Sequence, residues 1–366
     1  MKSPLSYILK VLLFTALILA PALLAFRLLD PFKMHGFYDN YIYPSPTANK
    51  GMVSLRNFTR YDPVRHFDSF ITGSSVSCNY LVEDWQRHIG TQSRPFHFDS
   101  SGQTITSLRR TVEYLDSHIS ADSLRNILIV LSPLSFVQPD PRRPFLDPPE
   151  INPGIISILD WHYKAFRSFT DCNFLVSYLH WLADGNPRER SRHNVFYGPH
   201  IRLIPEINEE RLDIWEDSID RHPTEFFTRH PIPAVAAADT ITPEPMISPK
   251  QASDLRAVAA ILERRGCHTR IIFPPNRRGI LLHPADDSLM NSIFGSAFVN
   301  LGSELRTMKA DSCNFYDHVH YRPRMARRIM ELVYAGNSSG NQTPRQHDSA
   351  RNTLPCNDFP QAPHPT

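Results

Sequence analysis

The amino-terminal segment constrains this 366-residue chain more than any other feature. No charged residue occurs between Val11 and Phe26, and the apolar character continues outward to Leu5 and Leu29. A helix over this wider stretch is long enough to cross about 30 Å of hydrocarbon, because it rises about 1.5 Å per residue. The sequence therefore predicts a transmembrane helix at residues 5–29.

Positive charge precedes the apolar segment, at Lys2 and Lys10. The positive-inside rule then places residues 1–4 in the cytoplasm and the rest of the chain on the other side of the membrane. Ala20-Pro21-Ala22 has the small-x-small form of a cleavage site, so a cleaved signal stands as the alternative to a retained anchor. Both interpretations export the rest of the chain.

Composition excludes several classes of protein. Lys and Arg total 39 against 37 for Asp and Glu, so the formal charge of +2 gives no electrostatic footprint for nucleic acid. The five cysteines show no CxxC or other metal-ligand spacing, and an odd number cannot form a closed disulfide framework. Cys267 and Cys313 could pair if the compartment is oxidising, and the sequence leaves the pairing open. Neither a metal nor a cofactor is expected.

Apolar runs and helical periods alternate after residue 66. Continuous apolar runs are typical of the buried strands of a parallel sheet, and the alternation is typical of βαβ units. The sequence thus predicts an α/β fold with a parallel sheet. The first predicted elements are a strand at 67–72, a helix at 76–89, a strand at 94–98, a helix at 105–118 and a strand at 125–131.

The rest of the chain is less regular. Prolines predict that residues 30–66 form a juxtamembrane connector without a long element, and that about 138–250 is an insertion. An aromatic-rich helical stretch at 155–183 could cap a cleft, pack on the core or touch the membrane. The last thirty residues, 337–366, are expected to be disordered. Further predicted elements are helices at 253–266 and 288–308, a strand at 269–273 and a helix from Pro323.

Two short motifs indicate chemistry. The first predicted strand ends at Gly73 and is followed by two serines, and ligands of such sheets bind beyond the carboxyl ends of the strands. Serine is a weak nucleophile alone and needs a base. Asp317 and His320 stand three residues apart before the last helix, a spacing that lets a carboxylate orient an imidazole. His318 is the competing base, but it lies directly beside Asp317.

Three stretches resemble the SGNH (GDSL-like) hydrolase superfamily, in particular its membrane-anchored, exported members. Residues 67–75, Phe-Asp-Ser-Phe-Ile-Thr-Gly-Ser-Ser, resemble its first block, residues 98–102, Phe-Asp-Ser-Ser-Gly, resemble its second, and residues 317–320, Asp-His-Val-His, match its Asp-x-x-His block. The resemblance implies a three-layer α/β/α, flavodoxin-like domain at 67–336, with the insertion outside the similarity.

The resemblance also implies roles for individual residues. Ser75, not Ser74, is the implied nucleophile, with His320 as the base and Asp317 as the acid that orients it. The backbone N–H groups of Ser75 and Gly102 are the implied oxyanion hole.

One departure concerns the third block of the family. That block usually supplies an oxyanion-hole asparagine, but Leu131-Ser132-Pro133-Leu134 stands there. Loss of one such donor commonly lowers the rate by about a hundred- to a thousandfold. Asn79 is an alternative donor.

The resemblance implies an exported serine-dependent esterase or acyltransferase that acts on acyl esters, O-acetyl esters foremost, of envelope or secreted polysaccharide. The alternative is a catalytically inactive protein of the same fold that binds a glycan or another envelope protein. The implied location is the bacterial cytoplasmic (inner) membrane, with a single span and the main domain on the periplasmic side. Expected partners are the lipid bilayer, an acylated glycan or acyl donor, and other envelope-biosynthesis proteins, with no nucleic acid among them.

Overall fold

A computed structural model describes residues 4–38, 48–120, 123–137, 147–184, 201–236 and 238–335. The predicted disordered tail lies outside the described residues. The predicted membrane helix is present as α1, Pro4–Leu29, and it is long and apolar enough to cross a membrane.

A five-stranded parallel sheet forms the centre of the α/β domain, as the sequence predicts. Its strands are β1 (Ser69–Gly73), β2 (Pro95–His97), β3 (Asn126–Val130), β7 (His268–Phe273) and β9 (Phe298–Asn300). Their spatial order is β2-β1-β3-β7-β9. This is the flavodoxin-like order, in which the direction of strand progression reverses between β1 and β3. The carboxyl ends of those two strands are therefore the expected position of a binding site.

Side chains of the central strands alternate between two apolar cores, one on each face of the sheet. Phe70 and Ile127 belong to one core, whereas the next residues, Ile71 and Leu128, belong to the other. This period of two is the consequence of an extended backbone. Both cores are covered by helices, so the sheet is the middle layer of three.

Helices cover both faces. On one face lie α4 (Ile105–His118), which matches the predicted helix, and α9 (Pro249–Arg264). On the other lie α3 (Val82–Ile89) and α12 (Pro323–Tyr334). The remaining helices are α2 (Lys50–Arg65), α5 (Ile155–Thr170), α6 (Cys172–Asp184), α7 (Asp213–Arg221), α8 (Pro223–Arg229), α10 (Pro284–Phe294) and α11 (Arg306–Ala310).

Three predictions of secondary structure are wrong in whole or in part. The predicted helix at 76–89 is divided into a 3-10 helix, Ser75–Asn79, and α3, which begins only at Val82. The connector contains α2, which begins at an Asn49 cap and buries its first half in the core, while Pro63 lies only in its last turn. The predicted helix at 288–308 is instead α10, the short strand β9 and α11. Gly295 adopts a φ of +52°, which suits a glycine and ends α10, and the chain then enters the edge of the sheet.

The described part of the insertion contributes helices α5 to α8, one small sheet, and one strand of a second small sheet. One sheet is the antiparallel pair of β4 (Arg202–Ile204) and β5 (Glu209–Arg211). The other pairs β6 (Thr240–Ile241) with β8 (Ile280–Leu281), in parallel. The turn between β4 and β5 extends the edge of the main sheet, because the N–H of His97 in β2 donates to the carbonyl of Ile207 at 3.0 Å.

Candidate active site

Ser75 lies at the carboxyl end of β1. The strand order of the sheet reverses between β1 and its neighbour β3. It begins a 3-10 helix, Ser75–Asn79, directly after the strand, and its side chain is half-buried. The strand needs a glycine at its end, because a Cβ at Gly73 would lie 2.5 Å from the carbonyl oxygen of Val130 in β3. The close approach of the two backbones therefore fixes the point at which the serine leaves the sheet.

Asp317 and His320 lie in a tight loop between β9 and α12. Phe315 and Tyr321 form an antiparallel bridge at the base of the loop, and the N–H of Tyr316 donates to the carbonyl of His320 at 2.8 Å. Inside the loop, Asp317 Oδ1 accepts the N–H groups of Val319 and His320, each at 2.7 Å. The carboxylate thus holds the loop that carries the imidazole.

Ser75, His320 and Asp317 form one chain of hydrogen bonds. His320 Nε2 lies 2.8 Å from Ser75 Oγ, and His320 Nδ1 lies 2.7 Å from Asp317 Oδ2. Burial disfavours the charge of Asp317, but hydrogen bonds from the His320 ring and from two backbone N–H groups outweigh it and lower the pKa of the carboxyl. An ionised Asp317 requires a proton on Nδ1, which leaves Nε2 to accept the proton of Ser75.

The neighbouring competitors are placed differently. His318 is exposed, and Ser74 is buried with its carbonyl accepting the N–H and hydroxyl of Ser77, at 2.8 and 2.7 Å. Cys78 Sγ donates to Asp99 Oδ2 at 3.1 Å. Burial, together with the Asp99 and Glu210 carboxylates, raises the pKa of this thiol well above its usual range, so it stays protonated. The hydrogen bonding therefore favours Ser75 over Ser74 and Cys78 as the nucleophile.

A buried pair of tyrosines joins the two parts of the site. Tyr80 follows the 3-10 helix of Ser75, and Tyr321 directly follows His320. The phenol of Tyr321 donates to that of Tyr80 at 2.8 Å. Burial raises the pKa of both phenols, so both remain protonated. We call residues 315–321, which carry Asp317 and His320, the acid-base loop. The tyrosine pair fixes the turn that begins at Ser75 relative to this loop.

Gly102 lies in the loop that connects β2 to α4, and its φ of +67° suits a glycine. The loop lies against the end of β1, since the N–H of Ser100 donates to the carbonyl of Gly73 at 3.2 Å. Among the described residues, the backbone N–H groups of Ser75 and Gly102 donate no hydrogen bond to other protein atoms. Both are thus available to an oxyanion.

The two other candidate positions for an oxyanion donor are less suited. In the third-block position after β3, Ser132 is buried and its N–H donates to Ser135 Oγ at 3.1 Å, so that amide is already used. Asn79 is buried at the end of the 3-10 helix, and no hydrogen bond of its side chain to another described residue is found.

A buried polar network supports the loop of Gly102 from behind. The Asp99 carbonyl accepts the hydroxyl of Ser54 at 2.6 Å, and Lys50 Nζ lies 3.6 Å from Asp99 Oδ1 and 3.1 Å from Glu210 Oε1. Burial disfavours the Lys50 charge, but the two carboxylates outweigh it and raise the pKa of the ammonium. Because Cys78 in the 3-10 helix of Ser75 donates to the same Asp99 carboxylate, the network connects α2 to that helix and to the loop of Gly102.

The insertion braces the site at two points. Near β2, Asn208 Nδ2 donates to the carbonyl of His97 at 2.6 Å, and the N–H of Val82 donates to Glu209 Oε2 at 2.6 Å. Near the acid-base loop, the buried Arg322 guanidinium donates to both carboxylate oxygens of Glu216, at 2.7 and 2.9 Å. The insertion, which lies outside the family resemblance, therefore holds both motifs in place.

Sequence reasoning missed these supporting residues. The sequence could have indicated a role for Asp99, because it is a charged residue at the end of a predicted strand. It indicates a role for Arg322 less clearly, through its position two residues after His320. The sequence gives no indication for Lys50 and Asn208, since their partners lie far away in the chain. Tyr80 and Tyr321 have no feature in the sequence that distinguishes them from ordinary core residues.

The disulfide that the sequence suggested between Cys267 and Cys313 is not formed. Cys267 is a free thiol, whereas Cys313 takes part in a disulfide. In the described ranges, no group of three or more His, Cys, Asp or Glu side chains is arranged to hold a metal ion.

No protein-family model matches the chain, and a search of curated proteins finds no similar sequence.

Proposed function

We propose that this chain is an exported serine-dependent esterase or acyltransferase of the SGNH (GDSL-like) type, with Ser75, His320 and Asp317 as its catalytic residues. The observation that carries the proposal is the continuous hydrogen-bond chain from Ser75 Oγ through the His320 ring to Asp317. A nucleophile, a base and an orienting acid in contact are the requirements of covalent acyl transfer.

Acylation begins when Ser75 Oγ attacks the carbonyl carbon of the acyl ester and its proton passes to His320 Nε2. The tetrahedral oxyanion is stabilised by the N–H groups of Ser75 and Gly102. The bond from the carbonyl carbon to the alcohol oxygen then breaks, and the imidazolium returns its proton to that oxygen. The products are a free alcohol and an acyl ester on Ser75.

Deacylation repeats the sequence with a second nucleophile. A water molecule or a sugar hydroxyl gives its proton to His320 Nε2 and attacks the acyl carbonyl. The bond to Ser75 Oγ breaks as the serine regains the proton. Water yields a carboxylic acid, whereas a sugar hydroxyl yields a new ester, so one site serves hydrolysis and transfer.

Fold and motif positions support the assignment to the SGNH type. The first two motifs follow β1 and β2, the third lies between α11 and α12, and the parallel sheet has the flavodoxin-like order. Ser75 lies where that order reverses. The third-block asparagine is absent, so we assign the oxyanion to two backbone donors and expect a slow enzyme.

The membrane topology completes the proposal. In this proposal α1 is the anchor in the bacterial cytoplasmic membrane, and Lys2 and Lys10 at its amino-terminal end support a periplasmic position of the domain by the positive-inside rule. The disulfide at Cys313 is in keeping with an oxidising compartment. On that side of the membrane, O-acetyl esters of envelope or secreted polysaccharide are the substrates we propose.

Hydrolysis of an aryl acetate and acetate release from an O-acetylated polysaccharide by the full chain in detergent test this function. We expect slow turnover that is abolished by Ser75→Ala and retained by the matched variant Ser74→Ala. Equal activity of the wild-type chain and Ser75→Ala would remove the serine from the mechanism. The 2.8 Å contact between Ser75 and His320 favours this enzyme over an inactive glycan-binding protein.

A further inference from the structure

Two helices of the insertion expose large apolar side chains beside the end of α1. The exposed fractions are 76% for Ile155, 80% for Ile156 and 64% for Leu159 in α5. Contiguous exposed apolar surface of this kind marks an interaction site in a soluble domain. We call the following set the apolar hairpin face: Ile155, Ile156, Leu159, Tyr163, Val176, Leu179 and Leu182.

Apolar side chains predominate on this face, and the charges beside it lie in α5. In α5, Ile155, Leu159 and Tyr163 recur every four residues and so form one stripe. Asp160 and Lys164 follow Ile156 at the same spacing of four and pair with each other at 2.7 Å, and Arg167 follows Tyr163. In α6 no Asp, Glu, Lys or Arg occurs before its last residue, Asp184. The hairpin therefore has the amphipathic character of helices that lie in a membrane interface.

The hairpin packs against the last turns of α1. The ring of Phe26 lies 5.8 Å from that of Phe166 and 5.4 Å from that of Phe169, both in α5. In α6, the hydroxyl of Tyr178 donates to the carbonyl of Leu29 at 3.5 Å. If α1 crosses a bilayer, these turns lie at its interface with water, and so does the hairpin.

The chain that leaves α1 is rigidly folded at this point. The Asp30 carboxylate accepts the N–H groups of Met34 and His35, at 2.7 and 2.8 Å, and the hydroxyl of Tyr38 at 2.6 Å. The ring of Phe32 lies 4.9 Å from that of Phe174 in α6. The position of the hairpin relative to the end of α1 is thus fixed by packing.

We propose that the apolar hairpin face inserts into the headgroup and acyl boundary of the bilayer that α1 crosses, as a second membrane contact of the domain. The occupant is lipid because the hairpin that bears the face packs on the last turns of α1, which is long and apolar enough to cross a membrane. The inference rests on the membrane location of α1 and not on the chemistry of Ser75. It implies that the domain holds one orientation above the membrane.

Depth-dependent quenching tests this contact in the full chain, in vesicles of phosphatidylcholine and phosphatidylglycerol. A fluorophore is attached at Ile156→Cys, with Cys172→Ser removing the exposed thiol at the start of α6. The matched control is Val64→Cys, a 79% exposed apolar position near the far end of α2. That helix starts beside the end of α1, because the N–H of Asn49 donates to the carbonyl of Phe32 at 2.9 Å.

We expect lipid-borne nitroxides to quench the fluorophore at position 156 at least about threefold more than at position 64, with the reverse order for aqueous iodide. A second label at Leu179→Cys should behave like the one at 156. Equal access of iodide to positions 156 and 64 would overturn the proposal. Protection of position 156 from both quenchers, with energy transfer between labelled chains, would also overturn it in favour of a contact between two copies. Ser75 reactivity is measured separately, so the two proposals fail independently.

Discussion

The phenol of Tyr321 donates a 2.8 Å hydrogen bond to the phenol of Tyr80, and both rings are buried. Tyr80 ends the turn that Ser75 begins, while Tyr321 closes the loop that holds Asp317 and His320. The bond therefore joins the two motifs, which lie far apart in the chain. The contact between Ser75 and His320 therefore depends on the packing of these two buried tyrosines.

Replacing Tyr321 by phenylalanine should disturb that contact. Tyr321→Phe removes the donor and leaves the buried Tyr80 hydroxyl without it, at a cost of about 1–3 kcal/mol in the free energy of unfolding. We also expect kcat for an aryl acetate to fall about tenfold, because a small displacement of a catalytic group is costly. Urea unfolding and steady-state kinetics measure both. The exposed Tyr163→Phe is the control, and equal effects of the two variants would contradict the role.

Asp317→Asn should separate orientation from structure. An asparagine cannot hold His320 as the ionised carboxylate does, so the base loses its preferred tautomer. We expect kcat to fall by about a thousandfold or more while the fold persists. Kinetics with an aryl acetate and circular dichroism measure the two properties. Asp217→Asn, an exposed carboxylate on α7, should keep full activity. A loss below about tenfold in Asp317→Asn would argue against the acid role.

His97 makes the stability of the domain depend on pH. Burial lowers its pKa, and the neighbouring Asp99 and Glu209 carboxylates oppose this only in part. In the unfolded chain the imidazole has its ordinary pKa of about 6.5 and binds a proton more readily than in the folded chain. Stability from this group is therefore full above pH 6.5 and decreases as the pH falls through that value.

Between pH 7 and pH 5.5 we expect the wild-type domain to lose about 1 kcal/mol more in the free energy of unfolding than the variant His97→Gln. Urea midpoints across that range measure the difference. His118→Gln changes an exposed histidine of α4 and should keep the wild-type slope. Identical slopes for wild type and His97→Gln would show that His97 does not titrate differently on folding.

Arg322 tests the brace between the insertion and the acid-base loop. Its buried guanidinium donates to Glu216, to Asp220 at 2.6 Å and to the carbonyl of Cys313 at 3.0 Å. A lysine cannot make this fork, so Arg322→Lys should lower the free energy of unfolding by about 2–4 kcal/mol. Limited proteolysis should then cut the insertion faster.

Arg229→Lys is the matched control for Arg322. Its exposed pair with Glu225 should be worth less than about 1 kcal/mol. Urea unfolding of the two variants measures the difference. Equal stability of Arg322→Lys and wild type would mean that the brace contributes nothing to the packing of the loop.

Local sequence predicted the parts of the fold that local physics decides. The apolar runs of β1 and β3 and the helical period of α4 identify those elements because each is buried along its whole length or along one face. Strand β9 was missed because it has only three residues, one of them exposed. Helix α2 was missed because the prolines of the connector, of which Pro63 is the one inside the helix, suggested a break, although the packing of its first half stabilises it.

The residues of the candidate site also fall into those that local sequence predicts and those that it does not. Ser75, His320 and Asp317 could be named from two short motifs, and the structure brings their side chains into contact. The residues that hold them are different, because the value of Asn208 or Lys50 arises only from partners that are remote in sequence. No periodicity or spacing encodes such contacts.

Mass mapping of a fluorophosphonate adduct tests the central claim most directly. The full wild-type chain in detergent is treated with the reagent, digested and compared with Ser75→Ala and Ser74→Ala. We predict one adduct, on Ser75, that is absent from Ser75→Ala and kept in Ser74→Ala, because Ser75 Oγ lies 2.8 Å from Nε2 of the base His320. An adduct that persists in Ser75→Ala, or a wild-type chain that does not react, would contradict the assignment of Ser75 as the nucleophile.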